Sequence, residues 1–322
     1  MALRQRQRQI QVLGVAAAAI GVVVIDQLRR ADRPRRRRAL WTKRWLLRRP
    51  EYGQYEKLMA ELTRENHVDY KNFLRMEPQL FHEIVRRVTP AIEKQDTFMR
   101  KALEPGIKVA ITLRYLATGE PYPSLQYGFR VARNTIVKFI PTICNAIADE
   151  YMGEVMKCPA TVAEWDAVAE GFSNRWNFHH TIGAIDGKHV AIRCPPNQGS
   201  NYFNYKGYHS IVLFAMVDAN YRFTYVDVGA NGSCSDGGIF KNCDLFDALD
   251  GDYAGVPPSR PLPNDNQRIP YFIIADDALA LRTWLMKPFP HRLLSKTERI
   301  FNYRLSRARR VVENAFGILS NR

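Results

Sequence analysis

Along residues 78–91 (PQLFHEIVRRVTPA) apolar side chains recur every three or four positions, which sets Leu80, Ile84, Val85 and Val88 on one helical face. Residues 107–116 (IKVAITLRYL) repeat that period, and Gly119 supplies a stop signal. Pro121 and Pro123 then break the chain. Residues 124–129 and 134–147 are expected as two short helices about a tight turn at 131–133. The pair has the outline of a helix-turn-helix, with Arg130, Arg133 and Lys138 as candidate phosphate contacts. Any helical hairpin with surface arginines carries the same pattern.

From about residue 180 the period becomes strand-like. Residues 180–193 (HTIGAIDGKHVAIR) are β-rich but contain an Asp-Gly pair, a turn signal. Residues 210–217 (SIVLFAMV) are continuously apolar, as in a strand covered on both faces. The DANY turn and residues 222–228 (RFTYVDV) complete an antiparallel hairpin. Ser235 and Asp236 can cap a helix running through Phe240 to Leu249. Residues 257–266 read as a Pro-rich loop, 271–275 (YFIIA) as a buried strand, 279–286 as a short helix and 297–319 as a long basic amphipathic helix. The order predicts an α/β fold: a ribonuclease H-like mixed sheet flanked by helices, preceded by an all-helical region. The expected units are a basic arm with a short apolar segment at 1–50, a helical region at 51–165 and a sheet domain at 175–322.

Charge separates the arm from the body. Of the 47 Lys and Arg in 322 residues, 14 fall in residues 1–50 against Asp26 and Asp32, whereas the other 272 residues hold 33 basic and 30 acidic side chains. Arg29, Arg30, Arg33 and residues 35–38 make the arm a candidate polyanion contact or nuclear-import signal. Within it, residues 12–25 (VLGVAAAAIGVVVI) form a 14-residue apolar run, shorter than the roughly 20 residues a spanning helix needs. Five scattered cysteines without a CxxC pair argue against a disulfide scaffold.

Four carboxylates carry the candidate chemistry. Asp186 interrupts an apolar strand, where a charge is costly unless paired or bound to a metal. Asp276 emerges at the C-terminal end of a strand, where open α/β sheets place ligands, with Asp277 beside it as an alternative. Glu313 lies on the last helix next to Val312, on an apolar face read as Val312, Phe316 and Leu319. Asp236 opens a helix. Oxygen ligands of this kind suit Mg²⁺ or Mn²⁺, and paired ions can drive phosphodiester cleavage without a protein nucleophile. The structural alternatives are an Asp-Gly turn at Asp186, a plain helix cap at Asp236 and a surface pair of Glu313 with Arg309 or Arg310.

The segments AIDGKHVAI, YKGYHSIVLFAMVDANYRFTYVDVGANGSCSDGGIF, IIADDALALRTWLMKPF and RRVVENAFGIL resemble the DDE nuclease domain of PIF/Harbinger transposases and of the nucleases derived from them. The resemblance runs from about residue 75 to 322. It implies a ribonuclease H-like fold and metal-dependent DNA endonuclease activity, with Asp186, Asp276 and Glu313 as catalytic acids and Asp236 as an auxiliary metal ligand. It also implies a divalent cation, Mg²⁺ or Mn²⁺, DNA as substrate, nuclear residence and a Myb-like DNA-binding partner protein. Where the family often has Gly-Asp-Ser-Gly-Tyr, this chain has Ala275-Asp276-Asp277-Ala278-Leu279. Family members usually continue past the FGIL helix, which makes a C-terminal truncation an expectation, and residues 12–25 are foreign to the pattern.

Other constellations are weaker. His179, His180, His189 and His209 surround the first two strands, and His189 lies three residues beyond Asp186. Cys194, Cys234 and Cys243 fit no usual zinc spacing. Tyr202, Phe203, Tyr205, Lys206 and Tyr208 interleave aromatics with a cation and could grip DNA, or pack a strand edge. Arg304, Arg307, Arg309 and Arg310 put positive charge on the Glu313 helix. No P-loop, GxGxxG or HExxH occurs. The rival readings are a catalytically silent DNA-binding or protein-interaction module, and a protein tethered to a membrane through residues 12–25.

Overall fold

The computed structural model describes residues 42–98, 101–290 and 292–320; the basic arm and the apolar run 12–25 lie outside them. Among the described residues no helix is long and apolar enough to cross a membrane.

The first half is helical. After four short helical segments between residues 44 and 65, α1 (His67–Leu74) is capped by Asn66, whose side chain accepts from the Val68 and Asp69 amides. α2 (Pro78–Ile92) starts on a proline, which fits a first helical turn because its missing N–H would have no partner there. Its buried stripe is Phe81, Ile84, Val88 and Ile92, so Leu80, expected on that face, is 45% exposed and Val85 is half-buried. α3 (Pro105–Thr118) ends at Gly119, whose φ of +66° is the left-handed cap that glycine tolerates best. α4 (Tyr122–Phe129) and α5 (Arg133–Val155) follow. The second of this pair is 23 residues long, not short, and continues through Pro141 because Ile136, Phe139, Ile140 and Ile143 bury against α2, α3 and α4. Arg130 faces inward: its Nη1 donates to the Trp45 carbonyl and its guanidinium lies over Tyr52. Arg133 and Lys138 remain exposed.

α6 (Val162–Trp176), opened by a capping box between Thr161 and Glu164, leads into the sheet. Its strands are β1 (Thr181–Ala191), β2 (Ser210–Val217), β3 (Phe223–Asn231), β6 (Phe272–Ile274) and β7 (Leu285–Met286), in the order β3-β2-β1-β6-β7. β1–β2 and β2–β3 are antiparallel, β1–β6 and β6–β7 parallel. This is the mixed ribonuclease H-like sheet expected from the sequence. A small ribbon, β4 (Arg260–Pro261) with β5 (Arg268–Ile269), decorates the predicted Pro-rich loop.

Two layers cover the sheet. α9 (Lys296–Ser320) buries Ala308, Val311, Val312, Ala315 and Phe316 against Ala184, Ala215 and Ile274. α7 (Asp236–Lys241) and α8 (Asp244–Asp250) cover the other face around Ile185, Phe214 and Ile273. Three expectations are corrected. The single helix through Phe240 to Leu249 is two, because Asn242 and Cys243 break it and its two halves bury different residues. Residues 279–286 are not a helix: Arg282 and Leu285 bridge across a tight turn, and Leu285–Met286 pair with Ile273–Ile274 as the edge strand, tertiary pairing overriding local propensity. Leu319, expected on the apolar face of the last helix, is exposed because that face ends at Phe316.

Candidate acidic site at the ends of β1 and β6

β1 passes straight through Asp186 and Gly187, so the Asp-Gly pair is not a turn. Asp186 pairs with Ala215 of β2, and the parallel register Ala184–Ile274 leaves Asp186 and Asp276 each two residues past a matched pair. Side chains alternate across a strand. Ala184 therefore turns to the α9 layer and Ile185 to the α7 layer.

On the α9 side, Arg309 reaches Asp186 (Nη1 to Oδ2, 3.8 Å) and forms an ion pair with Glu313 one helical turn along. On the other side Asp236 sits directly under Gly187: a Cβ there would collide with Asp236 Oδ1. Gly187 is thus required by close approach, a role the sequence concealed behind the Asp-Gly turn signal. Nor is Asp236 the helix cap. Ser235 caps α7 through Gly238 N–H, and Asp236 Oδ1 is buried with no hydrogen-bond partner.

The acids act on one another. Burial drives the Asp186 carboxyl up to about 6, against the pull of Arg309 and the Gly187 amide, and Asp236 and Asp276 push it the same way. Asp236 is also raised, by burial first and by Asp276 next, with His189 and Lys206 opposing. Asp276 is half-buried and accepts the Ala278 amide. Its neighbour Asp277 is exposed, and its carbonyl takes Lys287. Asp276 is the member of the pair that acts electrostatically on Asp186 and Asp236. Glu313 is the outlying member, exposed and joined to the others through Arg309.

Among the described residues no three His, Cys, Asp or Glu side chains are gathered closely enough to form a ready metal shell. The donor set nonetheless suits a hard divalent cation: three carboxylates that act on one another electrostatically, one of them presenting a buried oxygen without a donor.

His189 is held by Ser210, whose Oγ lies 2.9 Å from its Nδ1, and burial lowers its pKa. The four histidines do not form one cluster. His179 and His180 line a cavity of about 500 Å³ at the opposite, N-terminal ends of β1 and β6. Cys194 and Cys234 are exposed, Cys243 is buried and all are free thiols, so the zinc alternative has no shell. Sequence reasoning missed Gly187 and the reach of Lys206 to Asp236; for the latter no sequence signal exists.

Residues 185–322 match the family described as DDE superfamily endonuclease. The matched residues are the sheet half of the chain. The human protein named "Putative nuclease HARBI1" is 22% identical over 222 residues, which cover 69% of this chain and 59% of that protein. Arabidopsis thaliana Protein ALP1-like is 23% identical over 217 residues, 67% of this chain and 52% of its own length. The Arabidopsis protein named Antagonist of Like Heterochromatin Protein 1 is 24% identical over 216 residues, or 65% and 52%. The matched chain spans between about half and two-thirds of these relatives. The family match and these relatives bear out the resemblance to Harbinger transposase-derived nucleases. No solved structure matches the chain.

Proposed function

We propose that the chain is a metal-dependent DNA endonuclease of transposase descent, with Asp186, Asp276 and Glu313 as its catalytic acids and Asp236 as a further metal ligand. The observation that carries this reading is the mutual electrostatic influence of Asp186, Asp236 and Asp276 where β1 passes the C-terminal end of β6, with Asp236 Oδ1 buried and unpaired. Mg²⁺ or Mn²⁺ held by these acids would supply Lewis-acid polarisation of a phosphodiester. The chain itself supplies the rest. The strands fix Asp186 and Asp276 side by side, and Gly187 lets Asp236 close in from beneath. Arg309 keeps Glu313 beside them while Lys206 and the exposed Arg310 offer positive charge to the DNA phosphates. Water or a DNA 3′-hydroxyl is the attacking group.

The same reading makes DNA the substrate, a Myb-like DNA-binding protein the partner that selects the target and the nucleus the place of action. Residues 51–165, with Arg133 and Lys138 exposed, would add sequence-independent DNA contact. One observation favours a second reading, a catalytically silent DNA-binding module: Arg309 already neutralises two of the acids.

The deciding experiment is Mg²⁺- or Mn²⁺-dependent nicking of duplex DNA by wild type and Asp186→Asn. Outer-shell changes at metal sites cost about 10- to 100-fold, so loss of a direct ligand is expected to cost at least about 100-fold. Equal cleavage by the two proteins would sink the assignment. Absence of stoichiometric Mn²⁺ binding by calorimetry, together with retained DNA binding, would establish the silent module instead.

A further inference from the structure

Between β1 and β2 the chain makes a loop closed by a bridge between Phe203 and His209. Its tip is built around Asn204, which is 3% exposed. The Asn204 amide nitrogen donates to Ser210 Oγ (2.9 Å), and its Oδ1 accepts from the Lys206 and Tyr208 amides (2.9 and 3.2 Å). Gly207, at φ +85°, supplies the left-handed residue that the turn needs. A buried side chain has locked this turn from inside, and what the turn projects is Tyr205, 83% exposed.

The ring of Tyr205 stands edge-on to His189, 5.4 Å between centroids at 73°, and Lys206 Nζ lies 5.3 Å from its centre. Ser210 joins the parts, since its Oγ meets both His189 and Asn204. Lys206 also acts electrostatically on His189 and Asp236. An aromatic ring on a braced turn therefore stands in solvent at the rim of the acidic site, with a cation at its face. A large exposed ring contributes nothing to the core, and its rigid support costs conformational entropy.

We infer that Tyr205 and Lys206 form a stacking platform for an unpaired nucleobase next to the scissile phosphate. The inference rests on the DNA-cleaving reading and narrows its substrate. Paired bases inside a duplex present their edges and keep their faces covered. A ring beside the cleavage site can stack only on a base that is terminal, extruded or single-stranded. Lys206 would meet the phosphate of that nucleotide. The substrate class is accordingly DNA with a locally opened or frayed strand at the point of cleavage.

The test uses the full chain carrying Asp186→Asn, which removes cleavage from the measurement. Two DNAs are titrated: a fully paired duplex, and the same duplex with a short unpaired bubble containing 2-aminopurine, whose fluorescence falls on stacking. Losing one base stack corresponds to about a 5- to 100-fold loss of affinity. Tyr205→Ala is expected to weaken bubble binding within that range, abolish the fluorescence change and alter duplex binding less than about twofold. Tyr205→Trp should keep both bubble affinity and quenching. Equal bubble affinity and quenching for Tyr205→Ala and its parent would overturn the platform, as would equal losses on both DNAs. Either result leaves the nuclease reading standing. If the parent binds neither DNA, both proposals fall.

Discussion

The two ends of the parallel pair β1–β6 carry comparable chemistry in opposite condition. At the N-terminal ends, His180 Nδ1 meets the Ile269 carbonyl at 3.1 Å and its ring stacks on Tyr271. His179 engages Ser173 and Arg260 pairs with Asp166. Each of these polar groups has a partner, although Thr181 Oγ1 at the start of β1 is buried without one. Where β1 passes the C-terminal end of β6, three carboxylates influence one another electrostatically, Asp236 Oδ1 has no donor and burial raises Asp186 to about 6. The end that holds a cavity of about 500 Å³ is therefore the one whose histidines are paired. The strained end is where the fold forgoes stability, and buried groups held in that condition mark function more reliably than concavity does.

The largest effect that would break this contrast is expected at Gly187. Gly187→Ala places a methyl group on Asp236 Oδ1, and overpacking of this kind costs about 1–3 kcal/mol. Displacing Asp236 should also cut cleavage and Mn²⁺ affinity by about 10- to 100-fold, the scale of lost metal-site support. Normal cleavage and melting by this variant would mean that Asp236 is a bystander.

Next comes the pH dependence of Asp186. Between its unfolded value near 4 and its folded value of about 6, the folded protein holds a proton that the unfolded chain has released. Stability contributed by this group is full below the unfolded value and is lost as pH rises through that window. Asp186→Asn cannot ionise, so the metal-free variant should be more stable than wild type at pH 7 by about 1–3 kcal/mol, raising Tm by several degrees. At pH 4 the two should melt together. A variant that melts lower at pH 7 would show that Arg309 outweighs burial.

The opposite end should respond in the opposite sense. His180→Ala removes a stacked ring and leaves the Ile269 carbonyl unpaired, a loss of about 1–3 kcal/mol by thermal denaturation, with cleavage per folded molecule unchanged. Smallest of all, Arg260→Met breaks an exposed pair with Asp166 and should shift stability by no more than about 1 kcal/mol. A defect in cleavage from either change would dissolve the distinction between the ends.

How far the sequence reveals these features depends on whether the deciding interaction is local. The α9 helix, the β2–β3 hairpin and the strand before Asp276 were legible because periodicity and turn residues lie within a few positions of one another. Residues 279–286 were misread because their pairing partners, Ile273 and Ile274, lie on another strand and short apolar runs look alike. At Asp186 the strand was legible with an Asp-Gly turn as its alternative, and only the approach of Asp236 from α7 explains why a glycine occupies a continuous strand. Ordered acids could be picked out along the chain. The bridging role of Arg309 between Asp186 and Glu313 needed coordinates, since the sequence offered Arg310 equally well.

The matched register of β1 and β6 has a consequence for tolerance. Because Asp186 and Asp276 each stand two steps beyond the Ala184–Ile274 pair, their relative placement is ruled by the pairing of β1 with β6 rather than by the length of the connection at residues 251–270. That stretch can lengthen, shorten or acquire decorations such as the β4–β5 ribbon without moving the ruler. A one-residue slip of β6, by contrast, would turn Asp276 to the other side of the sheet and disarm the pair at a stroke.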